Sequence, residues 1–473
     1  MGGHGRKPLD YASVPCNSTA ARRQPLNTDR PLAAIVLAAG SGTRMKSDLH
    51  KVLHPIAGKP MLHHLADTLG ALGVERTVVV VGARKEQVAA SLADRDIVIA
   101  EQTEQLGTGH AVRQAHDALK GFSGDVLILY GDVPLVSAET MQAMVDRLRF
   151  GDDPRCVVLG FRPDDPAAYG RIVADGTGTI EKMVEYKDAS EAERAVTLCN
   201  SGLMAARATD LFVLLDQIGN DNAAGEYYLP DIVMLPGQKS AVIETGAGEV
   251  AGVNSRAELA RVEADWQQLR RAQAMADGAT LIAPETVFFA HDTVLGRDVT
   301  VEPNVVFGPG VTIEDGAVIH AFSHLEGAHV KGGCSVGPYA RLRPGSIMEE
   351  GAKVGNFVEM KKTVLGKGAK ANHLTYLGDA TVGAGANIGA GTITCNYDGW
   401  FKHKTEIGDG AFIGSNSALI APVRIGRGAI VAAGSAVSRD VGDGDLRLVR
   451  GEQLVKPGWA DRFNSSMRKK KEG

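Results

Sequence analysis

Aromatic side chains are scarce, at 5% of 473 residues, and there are only five cysteines. Cys16, Cys156, Cys199, Cys334 and Cys395 stand far apart with no Cys-x-x-Cys pair. That spacing argues against a disulfide framework or zinc site and for a reducing cytoplasm. No run of about 18 apolar residues occurs, so no transmembrane helix is expected. Strong charge is missing as well: the formal net charge is -5, which gives no general reason to bind nucleic acid. The one basic run, Arg468 to Lys471, reads as a solvated tail. Residues 1–30 are polar, rich in proline and without an apolar run, so they read as a disordered leader and not a secretory signal. What remains, 44% hydrophobic and 23% charged, is ordinary for a globular chain, and its length allows two or three domains.

The C-terminal half carries a repeat. Leu295, Val301, Phe307, Ile313, Ile319 and Leu325 recur every six residues, as do Val330, Val336, Leu342, Met348, Val354 and Met360, and again Ile407, Ile413, Leu419, Ile425, Val431 and Val437. Neither a helical nor a simple strand period produces this. Glycine follows the repeat residue at Gly296, Gly308, Gly337, Gly355, Gly408, Gly414 and Gly426, as a chain turning a tight corner after each short strand requires. Residues 279–473 therefore read as a left-handed parallel β-helix of hexapeptide repeats with a short C-terminal tail.

Residues 31–254 read as an alternating α/β domain. Leu32 to Ala38, Thr77 to Val81 and Val126 to Tyr130 are buried-type strands, and Pro60 to Leu72 has helical spacing. The implied sheet is mostly parallel, with ligands gathering at the carboxyl ends of its strands, where Gly40 and Asp132 fall. Residues 255–278 read as a linker helix. Ser255 and Glu258 have capping-box spacing, Leu259, Val262, Trp266 and Leu269 line one face, and Gly278 closes the end.

Leu37-Ala38-Ala39-Gly40-Ser-Gly42-Thr-Arg44-Met, with Lys51 beyond it, is the first chemical constellation. A glycine-rich turn after a strand points backbone N–H groups at a phosphate, and Arg44 and Lys51 supply charge for a polyphosphate. Gly-x-Gly alone is a weak signal, but with Thr-Arg-Met and the spaced lysine the segment resembles the signature of sugar-nucleotidyltransferases. That resemblance assigns Gln102, Gly107 and Thr108 to the nucleobase, Tyr130, Gly131 and Asp132 to the metal and sugar segment, and Gly170, Glu185 and Asn200 to the sugar. Asn254 matches a second metal ligand. One carboxylate and one amide oxygen, with waters and substrate phosphates, would complete an octahedral Mg²⁺ shell.

A second constellation interrupts the repeat with dense polar residues: Arg341-Leu-Arg343, Asn356-Phe-Val-Glu359-Met-Lys361-Lys362 and Asn372-His373-Leu-Thr-Tyr376-Leu-Gly-Asp. From Ile388 to Ile407 the spacing is nineteen instead of eighteen residues, which predicts an extruded loop over Asn396 to His403. Together these motifs make the chain from Leu32 to about Lys456 similar to the family of bifunctional glucosamine-1-phosphate N-acetyltransferases and N-acetylglucosamine-1-phosphate uridylyltransferases. The resemblance implies an α/β fold made of a Rossmann-like nucleotidyltransferase domain, the linker helix and the β-helix. It also implies a homotrimer with acetyl-CoA between neighbouring β-helices, and a cytoplasmic role supplying cell-wall and lipopolysaccharide precursors. It makes His373 the general base, Arg44 and Lys51 the stabilisers of uridylyl transfer, Arg343 and Lys361 the phosphate grip, and Tyr376 and Asn387 the sugar contacts. Ala390, Asn396, Tyr397, Ser415, Ala433 and Arg450 match the acetyl-CoA surface. Glu359 is a candidate to orient His373 or the amine.

Departures from the family pattern are few. His50 precedes Lys51 where proline is usual, which predicts a less rigid turn, and Gly109 follows Thr108 where alanine is common. The alternative reading is a single-activity sugar-nucleotidyltransferase with a structural or regulatory β-helix; His373, Lys361 and the Asn396-Tyr397 loop speak against it.

Overall fold

The computed structural model describes residues 30–40, 42–166, 169–222 and 225–472, so nearly all of the expected leader lies outside the described residues. The chain forms two compact units, Met1–Val262 and Glu263–Gly473.

Alternation of side chains along each strand organises the first unit. In β1 (Leu32–Ala38), Ala34, Val36 and Ala38 enter one core while Ala33, Ile35 and Leu37 enter another on the opposite face. Helix α1 (Met61–Ala71) buries Met61, Leu62, Leu65 and Leu69. The further strands are β2 (Arg76–Val81), β3 (Val98–Glu101), β4 (Asp125–Tyr130), β5 (Cys156–Phe161), β6 (Arg171–Ala174), β7 (Ile180–Val184), β8 (Cys199–Arg207) and β9 (Ser240–Thr245). The sheet order is β9-β5-β8-β4-β1-β2-β3, and β6 and β7 form a hairpin attached to β8. All the pairs along this path are parallel except those of β8, which runs antiparallel to both β4 and β5. Having helices against both faces is what makes these strands continuous apolar runs. β1 and β4 lie side by side in register, Leu37 opposite Tyr130, so the segments that follow them emerge together.

Helix α2 (Arg256–Ala276) begins in the first unit and ends in the second. The side chains of Ser255 and Glu258 bond each other at 3.1 Å, and Gly278 ends the helix at φ 104. Leu269 departs from the predicted stripe: it is 53% exposed, and Gln267 is buried in its place. Gln267 takes the inward position because its amide closes two hydrogen bonds on the backbone of Phe289, at 2.7 and 2.9 Å, which an apolar side chain could not make.

The second unit is the β-helix, built of one ten-stranded and two eight-stranded parallel sheets. The six-residue repeat side chains form one continuous core, with Leu295 packed against its edge. Each fully buried aliphatic side chain contributes about 1.5–3 kcal/mol. The glycines after them are a steric requirement: a Cβ at Gly414 would lie 2.8 Å from the Cα of Ala433 on the next coil. Leu365 pairs with Val382, seventeen positions on, but Val382 pairs with Ile407, twenty-five on. The extruded loop is therefore longer than the count of nineteen suggested, because Ile388 and Ile407 belong to different sheets. The basic run Arg468 to Lys471 is helical, lying in the exposed α3 (Trp459–Glu472).

Candidate functional site

In the first unit the chain leaves β1 at Ala39 and Gly40, turns at Gly42 with φ 62, and makes a single 3-10 turn, Thr43–Met45. No α-helix starts here, so the loop offers backbone N–H groups without a helix dipole behind them; Ser41 lies outside the described residues. A side chain at Gly42 would bring a Cβ to 2.9 Å of Lys51 Cβ. That contact packs the glycine turn directly on the segment bearing Lys51. His50 sits just before it, 2% exposed, donating its backbone N–H to Gln87 at 2.7 Å while its ring Nδ1 faces the Val52 N–H at 3.4 Å. Proline could not make the first bond, so His50 holds the turn by a contact that proline lacks. Burial first, then the charges of Lys51 and Arg84, pushes the His50 imidazole down and keeps it neutral.

Lys51 Nζ forms an ion pair with Asp132 and donates to Asn254 Oδ1 at 3.1 Å. Two oxygens from distant parts of the sequence thus converge on one positive charge. Asp132 is placed by β4, and its backbone oxygen accepts the Val253 N–H at 2.9 Å, which brings Asn254 alongside. The Asn254 backbone N–H donates to Glu258 at 2.7 Å. Against burial, which acts upward, bonds from Asn254 and Ser255 and the charge of Arg44 hold the Glu258 carboxyl below the usual range.

Lys51 and Asp132, but not Asn254, line a cavity of about 310 Å³ together with Leu37 to Gly40, Gln102, Gly107, Thr108 and Tyr130. Gln102 donates to Gly107 O at 3.1 Å and Gln105 to Ala39 O at 2.9 Å, tying the Gln102 to Thr108 segment to the glycine loop. Burial, Asp132 and Glu185 push the Tyr130 phenol up, so it stays a neutral hydroxyl. Asn200 N–H donates to Gly170 O at 3.0 Å, and Gly170 lies against Glu185, so the three sugar-assigned residues form one group. They do not line the cavity. Arg44 does not either, and it is exposed. His50, Val52, Ala111 and Glu226 do line it. Only His50 had a sequence signal, its adjacency to Lys51.

In the second unit the polar motifs stack coil on coil. Asn356 pairs with His373, Arg341 with Glu359, Glu359 with Tyr376, and Lys370 with Asn387. His373 closes a strand of the ten-stranded sheet and Tyr376 opens one of an adjoining sheet, with Leu374 at the corner between them. The His373 ring Nδ1 lies 2.7 Å from Asn356 Oδ1. An amide oxygen only accepts, so Nδ1 carries the proton and Nε2 is left as the acceptor. Glu359 instead takes Arg343, at 2.9 Å, so it is Asn356 that orients the histidine. Coil spacing, seventeen residues, was the signal that could have found Asn356. Lys361 accepts the Asp379 N–H on its backbone oxygen at 3.0 Å. Ala390, Ser415 and Ala433 follow one another along one corner: Asn416 N–H bonds Ala390 O and Gly434 N–H bonds Ser415 O, each at 2.8 Å. Arg450 continues that line beside Gly434, and Asn396 and Tyr397 open the extruded loop.

Among the described residues no group of three or more His, Cys, Asp or Glu could hold a metal, and no helix is long and apolar enough to cross a membrane. A divalent site of one carboxylate and one amide oxygen is of a different kind, and the convergence of Asp132 and Asn254 on a single cationic group fits it.

Residues 34–196 match the MobA-like NTP transferase domain, and residues 292–327 and 404–439 match the bacterial transferase hexapeptide, six repeats. The chain is 68% identical over 446 residues to the bifunctional protein GlmU of Sphingopyxis alaskensis, covering 94% of this chain and 98% of that protein. It is 69% identical to the bifunctional protein GlmU of Novosphingobium aromaticivorans over 94% of this chain and 99% of the relative. For that of Zymomonas mobilis the figures are 57%, 94% and 100%. The matched length takes in both units, and the chain belongs to the family of the bifunctional GlmU proteins.

Proposed function

We infer that this chain makes UDP-N-acetylglucosamine in two transfers: acetylation of glucosamine 1-phosphate in the β-helix unit, then uridylylation of the product in the α/β unit. The convergence of Asp132 and Asn254 on Lys51 at the edge of the glycine-loop cavity carries the reading. Asp132 and Asn254 would hold Mg²⁺, which when bound supplies charge neutralisation for the triphosphate. Lys51 and the loop N–H groups stabilise negative charge developing as a sugar phosphate oxygen attacks the α-phosphorus in line and pyrophosphate leaves. Arg44, exposed on the turn, is free to close over the phosphates. Gln102, Gly107 and Thr108 bind the base, and Gly170, Glu185 and Asn200 the sugar.

For acetyl transfer, the Asn356 contact leaves His373 Nε2 ready to remove a proton from the substrate ammonium, so that the amine attacks the thioester carbonyl. Arg343 and Lys361 grip the phosphate, Tyr376 and Asn387 the sugar, and the corner from Ala390 to Arg450 takes acetyl-CoA.

A homotrimer is the proposed assembly. In its favour, Phe322, Tyr339 and Phe357 stack at 4.9 and 5.3 Å as an exposed ladder running into Leu374, on the corner beside His373. Burying such a ladder is a reason to associate. The functional domains are assigned to residues 31–254 and 279–473, with 255–278 as connector, and the chain to the cytoplasm, where the free buried Cys156, Cys199 and Cys334 stay reduced.

Product analysis with Mg²⁺, UTP and glucosamine 1-phosphate, with and without acetyl-CoA, tests the whole. UDP-N-acetylglucosamine should form only with acetyl-CoA. If none forms while supplied N-acetylglucosamine 1-phosphate is uridylylated, the acetyltransferase assignment fails.

A further inference from the structure

One carboxylate beside the acetyl-transfer residues has no assigned part. Asp379 occupies a left-handed corner at φ 47 and accepts Asn396 Nδ2 at 2.5 Å. Asn396 is 5% exposed, and its backbone is fixed on both sides, by Thr394 O and by the His403 N–H, each at 2.9 Å. A carboxylate only accepts, so the amide nitrogen must face Asp379 and Oδ1 must face away from it. That oxygen bonds no described residue. The same corner is closed by Gly378. A Cβ there would lie 2.7 Å from Asn396 Nδ2 and nearer still to the Tyr376 hydroxyl, so both side-chain ends pack over this glycine.

We propose that Asp379 is a positioning residue for acetyl transfer: it fixes the Asn396 amide so that Oδ1 is presented as an acceptor to an amide N–H of the bound pantetheine arm. This rests on the placement of acetyl-CoA along the Asn396 to Arg450 surface. A reversed Asn396 amide would set N–H against N–H and lose the bond outright, so orientation decides whether Asn396 helps or hinders.

The test uses the full chain, with thiol release from acetyl-CoA and pyrophosphate release from UTP as separate readouts. Asp379→Ala is expected to raise the KM for acetyl-CoA about tenfold. Its KM for glucosamine 1-phosphate and its uridylyl transfer should stay within about twofold of native. Asp379→Asn keeps an acceptor oxygen and should recover most of the loss. Asn396→Ala should show a similar KM, and adding Asp379→Ala to it should cost nothing more. Additive losses, or an unchanged acetyl-CoA KM in a normally folded Asp379→Ala protein, overturn the proposal. Should Asp379→Ala not fold, Asp379→Asn and Asn396→Ala form the same cycle, with a KM rise of about two- to threefold expected from the first alone and none in the second's background. Additivity there overturns it as well. A native chain that releases no thiol overturns both this role and the acetyl-transfer assignment, whereas normal release with additive losses removes the role of Asp379 alone.

Discussion

Replacing Asn356 by leucine removes the only side-chain acceptor found for His373 Nδ1 among the described residues, at nearly constant volume. In the resting state this bond joins two neutral groups, and such bonds contribute about 0.5–1.5 kcal/mol. When Nε2 takes the proton from the substrate ammonium the ring becomes cationic, and a bond to a charged group is worth about 1.5–3 kcal/mol. The transition state therefore draws about 1–1.5 kcal/mol more from Asn356 than the ground state does, which is about tenfold in rate. Releasing the tautomer adds to this, because a ring protonated at Nε2 cannot act as base there. Asn356→Leu should thus lower kcat for acetyl transfer by about 10- to 50-fold with little change in KM, followed by thiol release. Uridylyl transfer should be untouched. Asn356→Asp keeps an acceptor and should retain most of the rate. If leucine leaves kcat within twofold in a folded protein, or aspartate falls as far as leucine, the reasoning from tautomer to base is refuted.

Lys51→Met should reduce uridylyl transfer by about a hundredfold or more while thiol release stays normal; equal loss of both would mean that the residue serves folding. Gly42→Ala combines a positive φ with a Cβ at 2.9 Å from Lys51 Cβ, so it should cost about 1–2 kcal/mol of first-unit stability in denaturant titration and lower uridylyl transfer with it. His50 and His54 are both held below their ordinary value of 6.5, chiefly by burial. The unfolded chain therefore binds more protons than the native one below that pH, and stability is lost as pH falls through about 6.5. The first unit's unfolding temperature should drop by several degrees between pH 7.5 and 5.5, and His50→Gln should blunt the drop. Tyr339→Asp, in the middle of the aromatic ladder, should shift the mass measured by sedimentation equilibrium from trimer towards monomer; an unchanged trimer would place the interface elsewhere.

Much of this architecture was legible because the β-helix writes its core into the sequence at a fixed interval. From Val301 to Val437 the quoted repeat side chains are buried. The strand-end positions of Gly40 and Asp132 were legible for a similar reason, since a buried parallel strand is a continuous apolar run that stops where polar chemistry starts. The length of the extruded loop was not, because a count along the chain cannot tell which of three sheets a residue joins. Leu269 and Gln267 exchanged places because a backbone hydrogen-bond demand at Phe289 outweighed the apolar stripe. Arg44 was legible as a motif residue, but its place outside the cavity lining was not, because it rides on a turn with left-handed backbone at Gly42 and Lys46. Asn356 and Asp379 were harder to find: each touches a residue seventeen positions on, a separation marked only by the coil spacing.

The corner that carries Ala390, Ser415, Ala433 and Arg450 has a metric consequence. Adjacent coils of a parallel sheet are about 4.8 Å apart, so four residues on successive coils are spaced like marks on a scale about 14 Å long. If acetyl-CoA lies along that corner as proposed, the protein would measure it from its thioester end. Lengthening the carrier's arm by one methylene group would put its anionic end out of step with Arg450 without disturbing the reacting carbonyl. On that placement, selectivity for the carrier would be a matter of length, set by the number of coils from Ala390 to Arg450.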